Sequence, residues 1–282
     1  MDDSPRRHSL SGTTAALIPD GLDATLVLVR HGESVLIAEE RFQGQMETPL
    51  SPIGRRQADL VARRLAHPHE PPALPLPDGE LLEIVHSPLQ RTAQTAAAIA
   101  NAVASGAVAA RTVRPDPGFL EIGQGAWEGL LATEIRERYA ETLAAWRSRP
   151  LETWAPGGES LGHVAGRVRP ALRTLLERLA QGRPAGTLDR KQVASFRDPP
   201  PSHPWSVVVG HDGVFKIALL TLFGLTLDRF WMWSMDLCGI TVVELRAGRP
   251  VLRAHNLTAH LAGLLDEDAR AELEERNRSG AL

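Results

Sequence analysis

The stretch Ala24-Thr25-Leu26-Val27-Leu28-Val29-Arg30-His31-Gly32-Glu33-Ser34 decides the fold class of this 282-residue chain. Its first six residues are a short apolar run broken only by a threonine, the pattern of a parallel strand buried on both faces. A histidine stands just past the strand, between an arginine and a glycine, and a helical stretch follows. Val207-Val208-Val209-Gly210-His211-Asp212-Gly213 repeats the arrangement far down the chain. Strand ends that feed helix starts are where open α/β sheets form their ligand crevices. Two histidines delivered to one crevice, the first beside an arginine, point to phosphate chemistry rather than to packing.

Working outward, β and α signals alternate. A helix is predicted over residues 52–66, with Ser51 as N-cap and Pro52 at the first helical position. Further strands are predicted at 81–86, 108–113 and 206–209, and helices at 88–104, 130–146, 160–180 and 214–223. Residues 238–245 and 251–255 read as an antiparallel pair around Ala247-Gly248, and the glycine-rich residues 116–129 as irregular. The alternation predicts an α/β three-layer sandwich, a mostly parallel sheet with helices on both faces. Residues 1–22 read as a flexible tail, 23–262 as one domain and 263–282 as a charged tail. Two proline-rich insertions, 67–79 and 181–204, read as surface loops.

Composition sets further bounds. With 43% hydrophobic residues the chain can bury one large core, and its net charge of -3 offers no basic footprint for nucleic acid or anionic lipid. No stretch approaches the roughly 20 apolar residues of a membrane span, and the polar start lacks the core of a secretory signal. Cys238 is the sole cysteine, so no disulfide forms within the chain. The expected compartment is the cytoplasm. His67-Pro68-His69-Glu70 has the composition of a metal cluster, but the surrounding prolines deny it helical ligand spacing, and it reads as solvated loop. Trp231, Met232 and Trp233 read as core or as the contact of a homodimer.

Three segments carry the chemistry. In Arg30-His31-Gly32-Glu33, a neutral imidazole can attack phosphorus while the guanidinium steadies an equatorial oxygen. Gly32 lets backbone amides approach a phosphate closely. In Ser87-Pro88-Leu89-Gln90-Arg91-Thr92, Arg91 sits in the first helical turn and can point back to a strand end. Residues 119–129 hold two carboxylates, Glu121 and Glu128, among glycines, and one of them could protonate a leaving alkoxide if its pKa is raised.

Together these segments resemble the histidine phosphatase superfamily, the phosphoglycerate mutase-like group. The matching pieces are Arg30-His31-Gly32-Glu33, then Arg41-Phe42-Gln43-Gly44 with Pro49-Leu50-Ser51 and Gly54, and Ser87 to Thr92. Glu121 with Trp127-Glu128-Gly129, Gly157-Gly158-Glu159-Ser160 and Gly210-His211-Asp212-Gly213 follow, in the family's order. The resemblance implies that His31 is the nucleophile and that Arg30, Arg91 and His211 hold the transferring phosphoryl group. It implies that Glu121 is the proton donor and then the base. Gln43 and Gly44 would line the phosphate pocket, and Gly32, Ser34 and Asp212 would complete the substrate-binding set. Two arginines and a histidine would take the place of metal ions, so no metal and no cofactor are expected. Many members carry an aromatic residue and then asparagine where this chain has Leu36 and Ile37, so one polar phosphoryl contact is missing. The segment after Glu121 resembles the phosphatase branch. The expected activity is a metal-independent phosphomonoesterase acting on a small phosphorylated metabolite. The alternatives are a phosphoglycerate mutase and a non-catalytic phospholigand-binding member of the fold.

Overall fold

The structure is a computed structural model, and it describes residues 16–104, 112–182 and 203–264. Its centre is a six-stranded sheet in the order β3-β2-β4-β1-β5-β6. The strands are β1 (Ala24–Arg30), β2 (Leu81–His86), β3 (Thr112–Pro115), β4 (Trp205–Gly210), β5 (Ile240–Arg246) and β6 (Arg249–Leu257). Strands β1, β2, β3 and β4 run parallel, and β5 and β6 close the sheet antiparallel.

Strand β1 shows why the apolar run is continuous. Leu26 and Leu28 point into one core, and Val27 and Val29 into the other. One face is covered by α2 (Pro52–Ala66) and α3 (Gln90–Ala104), which supply Val61, Leu65, Ala96 and Ile99. The other is covered by α6 (Leu161–Gln181) and α7 (Asp212–Leu222). The short helices α1 (Val35–Ala38), α4 (Ala132–Arg138) and α5 (Ala140–Ser148) sit among the loops. No helix among the described residues is long and apolar enough to cross a membrane.

Several expectations need correction. The tail ends earlier than residue 22, because Leu17 and Leu22 are buried in the core. The edge strand is described over Thr112–Pro115 and runs two residues past the expected end at 113; its expected start at 108 lies outside the described residues. The helix expected over 130–146 is two, broken at Tyr139, whose backbone leaves the helical region (φ -129°, ψ 28°) while its ring tilts against Trp127. The loop at 67–79 is not wholly solvated, since Leu74 and Leu76 pack under α2 in the second core. His67 and His69 pair instead with Glu70 and Asp78 on the surface. Nearly all of the 181–204 insertion, the first fifteen residues and the stretch from 265 onward lie outside the described residues.

Candidate active site

Parallel strands β1 and β4 pair in register, with Arg30 opposite Gly210, so their C-terminal ends deliver His31 and His211 side by side. The two rings meet edge to face with centroids 5.1 Å apart. His31 Nδ1 donates to the Gly32 carbonyl (2.6 Å). A carbonyl can only accept, so the proton sits on Nδ1 and the lone pair on Nε2. Burial, reinforced by the charges of Arg91 and Arg30, holds His31 well below the ordinary imidazole range. It is therefore neutral at pH 7, the state a nucleophile needs.

The turn after His31 is held tightly. Gly32 N donates to Thr95 Oγ1 (3.2 Å), and a Cβ on Gly32 would run into the Gly54 carbonyl at the start of α2. Ser51 Oγ accepts from Gly54 N (2.9 Å) and donates to Glu33 Oε1 (2.6 Å), which ties the N-terminus of α2 to the histidine loop. Ser34 caps α1 through Ile37 N and donates to Gln43 Oε1 (2.8 Å). Its hydroxyl is thus committed to holding Gln43, whose amide nitrogen makes no bond to a described residue. Ile37 is buried in α1 and brings an apolar side chain where the family often has a polar one.

The cations are buried around these rings. Arg91 is fully buried and donates to the carbonyls of Gly44 (2.7 Å) and Met46 (2.9 Å). Burial lowers its pKa to about 10, so it remains a cation at pH 7. Gly44 adopts φ +46°, and a Cβ there would strike the Glu128 carboxylate. Arg30 Nη1 donates to the Met235 carbonyl (2.6 Å). The Nε atoms of Arg30 and Arg91 and both ring nitrogens of His211 are buried without a hydrogen-bond partner among the described residues. A buried donor left unpaired costs about 1–3 kcal/mol, so a cluster of them marks a place kept for an acceptor.

Glu121 closes the site from a loop between two short 3₁₀ turns, Pro117–Phe119 and Gly125–Trp127. Its Oε1 accepts from Ile122 N (2.9 Å) and Val214 N (3.0 Å), and its Oε2 accepts a longer bond from Gly213 N (3.3 Å). Oε2 is the oxygen better placed to carry a proton. Burial raises the Glu121 pKa, and the Asp212 charge adds to the rise, against the lowering effect of the Ile122 bond. Glu128, the other carboxylate of this segment, accepts from the backbone N–H groups of Gln45 and Gln124 and is structural. Asp212 lies at the site, but Lys216 takes one oxygen (2.5 Å) and Met235 N the other (3.0 Å). Like Ser34, it supports the site more than it faces a ligand.

The sequence reading missed the clamp behind Glu121. Arg167 of α6 donates to the carbonyls of Gly118 (3.1 Å), Leu120 (2.7 Å) and Glu121 (2.8 Å), and pairs with Glu159 (2.8 Å). Glu159 in turn accepts from Gly123 N and from Gln45 Nε2. Burial works against the Glu159 charge, but the Arg167 bond and the Gly123 N–H outweigh it and lower the pKa. The Gly157-Gly158-Glu159-Ser160 motif was the available signal; its partner was not.

The described residues thus place a neutral histidine, two arginines, a second histidine and a protonatable carboxyl in one crevice. The model of the histidine phosphatase superfamily, branch 1, matches residues 26–258. The chain belongs to that superfamily. Phosphoserine phosphatase 1 of Hydrogenobacter thermophilus is 30% identical over 250 residues, spanning 87% of this chain and 98% of that one. A glucosyl-3-phosphoglycerate phosphatase of Mycolicibacterium vanbaalenii is 32% identical over 73% of this chain and 76% of its own length. The solved structure of a mycobacterial glucosyl-3-phosphoglycerate phosphatase with VO3 superposes at TM-score 0.63, with 28% identity, over 83% of this chain and all of that one. The sheet of this histidine phosphatase is the fold of those neighbours, and its phosphoglycerate mutase-like class agrees with the sequence reading.

Proposed function

We propose that this histidine phosphatase hydrolyses a small phosphorylated metabolite through a phosphohistidine on His31, without a metal ion. The observation that carries the reading is the ring of unpartnered buried donors on Arg30, Arg91 and His211 beside the free Nε2 of His31. These are the groups a phosphoryl oxygen satisfies, and preorganised donors in a buried site act far more strongly than in water.

In the first step His31 Nε2 attacks phosphorus, the P–O ester bond breaks, and Glu121 gives its proton to the departing oxygen. In the second, the Glu121 carboxylate takes a proton from water, the hydroxide attacks phosphorus, and the P–N bond breaks to release phosphate and neutral His31. Arg30, Arg91 and His211 hold the equatorial oxygens throughout, with Gln43 and Gly44 along the pocket wall and Gly32 letting the histidine turn pack against Gly54. The curated relatives named above take phosphoserine and glucosyl-3-phosphoglycerate by name, which supports a small phosphomonoester as the substrate here. The buried free thiol of Cys238 suits a reducing cytoplasm, where we place the enzyme.

The test is phosphate release from a panel of phosphomonoesters in EDTA, with 3-phosphoglycerate included and His31→Ala as control. Release that persists under chelation and vanishes in the variant is the expected result. Isomerisation of 3-phosphoglycerate without release would make the chain a mutase. Phosphate binding without any turnover would make it a binding module.

A further inference from the structure

We propose that the leaving alcohol of the substrate is bulky, bears a ring and a carboxylate, and docks in the cavity that opens beyond Glu121. This rests on the phosphatase reading above and names the class of its substrate.

The placement follows from the acid. A general acid must lie within hydrogen-bond reach of the oxygen it protonates, so the alcohol leaves into the space that Glu121 faces. That space is a cavity of about 300 Å³, bounded on the phosphate side by Gly44, Glu121 and Gly213. Its far wall is aromatic, made of Trp146 from α5 with Phe230 and Trp231 from the 3₁₀ segment Leu227–Met232. Phe230 and Trp231 meet edge to face at 4.8 Å, and Trp146 and Trp231 at 5.5 Å. Trp146 and Phe230 are buried by this packing, while Trp231 keeps 38% of its surface open. Two rings thus hold a third that stays partly open. Trp231, Met232 and Trp233, read from the sequence as core or homodimer contact, take different environments. Met232 is 51% exposed, and Trp233 turns away to His255 and Phe223.

Charge supplies the second half of the argument. Lys216 also lines the cavity, but its ammonium is paired with Asp212 and lies 5.0 Å from the Trp231 ring centroid and 5.3 Å from that of Phe230. Its charge is spent inside the wall, where it fixes the rings. Arg147 lies at the rim, next to Trp146 in the chain, exposed and without a hydrogen bond or ion pair to any described residue. It is the cation available to an anionic group on the leaving alcohol. A compact ester would leave the aromatic wall unfilled. A ring laid on Trp231 with a carboxylate reaching Arg147 uses both features.

The experiment compares kcat/KM for four probes. Glucosyl-3-phosphoglycerate carries both ring and carboxylate, glucose 6-phosphate the ring, 3-phosphoglycerate the carboxylate, and phosphoserine is compact. The first is expected to exceed each of the others by about tenfold or more. Trp231→Ala is expected to cut the ratio of ring to ring-free esters about tenfold, with Trp231→Phe restoring most of it. Arg147→Gln is expected to cut the ratio of glucosyl-3-phosphoglycerate to glucose 6-phosphate. Phosphoserine as the best of the four, or variants that lower all four by one factor, would overturn the proposal. Turnover of none of them, nor of p-nitrophenyl phosphate, would overturn the phosphatase reading itself and this assignment with it.

Discussion

At the scale of single residues, the chemistry depends on a pair that is ill-matched in water. With ordinary pKa values of about 6.5 and about 4.3, a histidine and a glutamate are never both in the needed forms, neutral and protonated, in more than a minor fraction. Here burial moves both in the corrective direction, His31 down and Glu121 up. The kcat/KM–pH profile, which reports the free enzyme, should therefore rise through an acid limb below the ordinary imidazole range and fall through a basic limb above the ordinary carboxylate range. Glu121→Gln should remove the basic limb and slow alkyl phosphates by about 10²–10⁴-fold, with less effect on p-nitrophenyl phosphate. An alkyl phosphate turned over at the native rate by that variant would take the acid role away from Glu121. Arg167→Met should lower kcat about tenfold to a hundredfold with KM nearly unchanged, because the acid loses its clamp and not the substrate its pocket. His31, Arg30 and His211 were legible because strand ends announce themselves in an apolar pattern. Arg167 was not, because its partners are carbonyls some fifty residues away that no pattern marks.

At the scale of elements, the site depends on the entries into helices. Ser51 is both the cap of α2 and the anchor of Glu33. Ser51→Ala should cost about 0.5–2 kcal/mol in urea unfolding and lower activity, because the histidine loop is untied with the cap. Unchanged stability would show that Pro52 alone sets the start of α2. The central strands and the long helices could be read closely because they are buried on the faces their periodicity implies. The end of β3 could not: the strand pairs on one side only, and Val113 is 45% exposed, so no alternation locates its close at Pro115. The break between α4 and α5 was also hidden, since Tyr139 turns the chain to satisfy packing against Trp127, a contact between segments.

At the scale of the whole molecule, the same buried histidines link stability to pH. The folded-state pKa of His31 and of His211 lies below the unfolded value of about 6.5. Their contribution is thus full above that value and lost as pH falls, because the unfolded chain takes up protons first. The Tm should fall between pH 7 and pH 5, and fall less steeply in His211→Gln. An identical slope in that variant would show that His211 does not drive the loss. The central claim, that phosphate passes through His31, is tested most directly by trapping the intermediate. Glu121→Gln cannot activate water, so mixing it with p-nitrophenyl phosphate and quenching in base should accumulate one phosphoryl group on the peptide that contains His31, found by mass spectrometry. None should appear in the His31→Ala, Glu121→Gln double variant. Full turnover by native enzyme with no phosphorylated peptide in the trap, or label on another residue, would contradict the phosphohistidine mechanism.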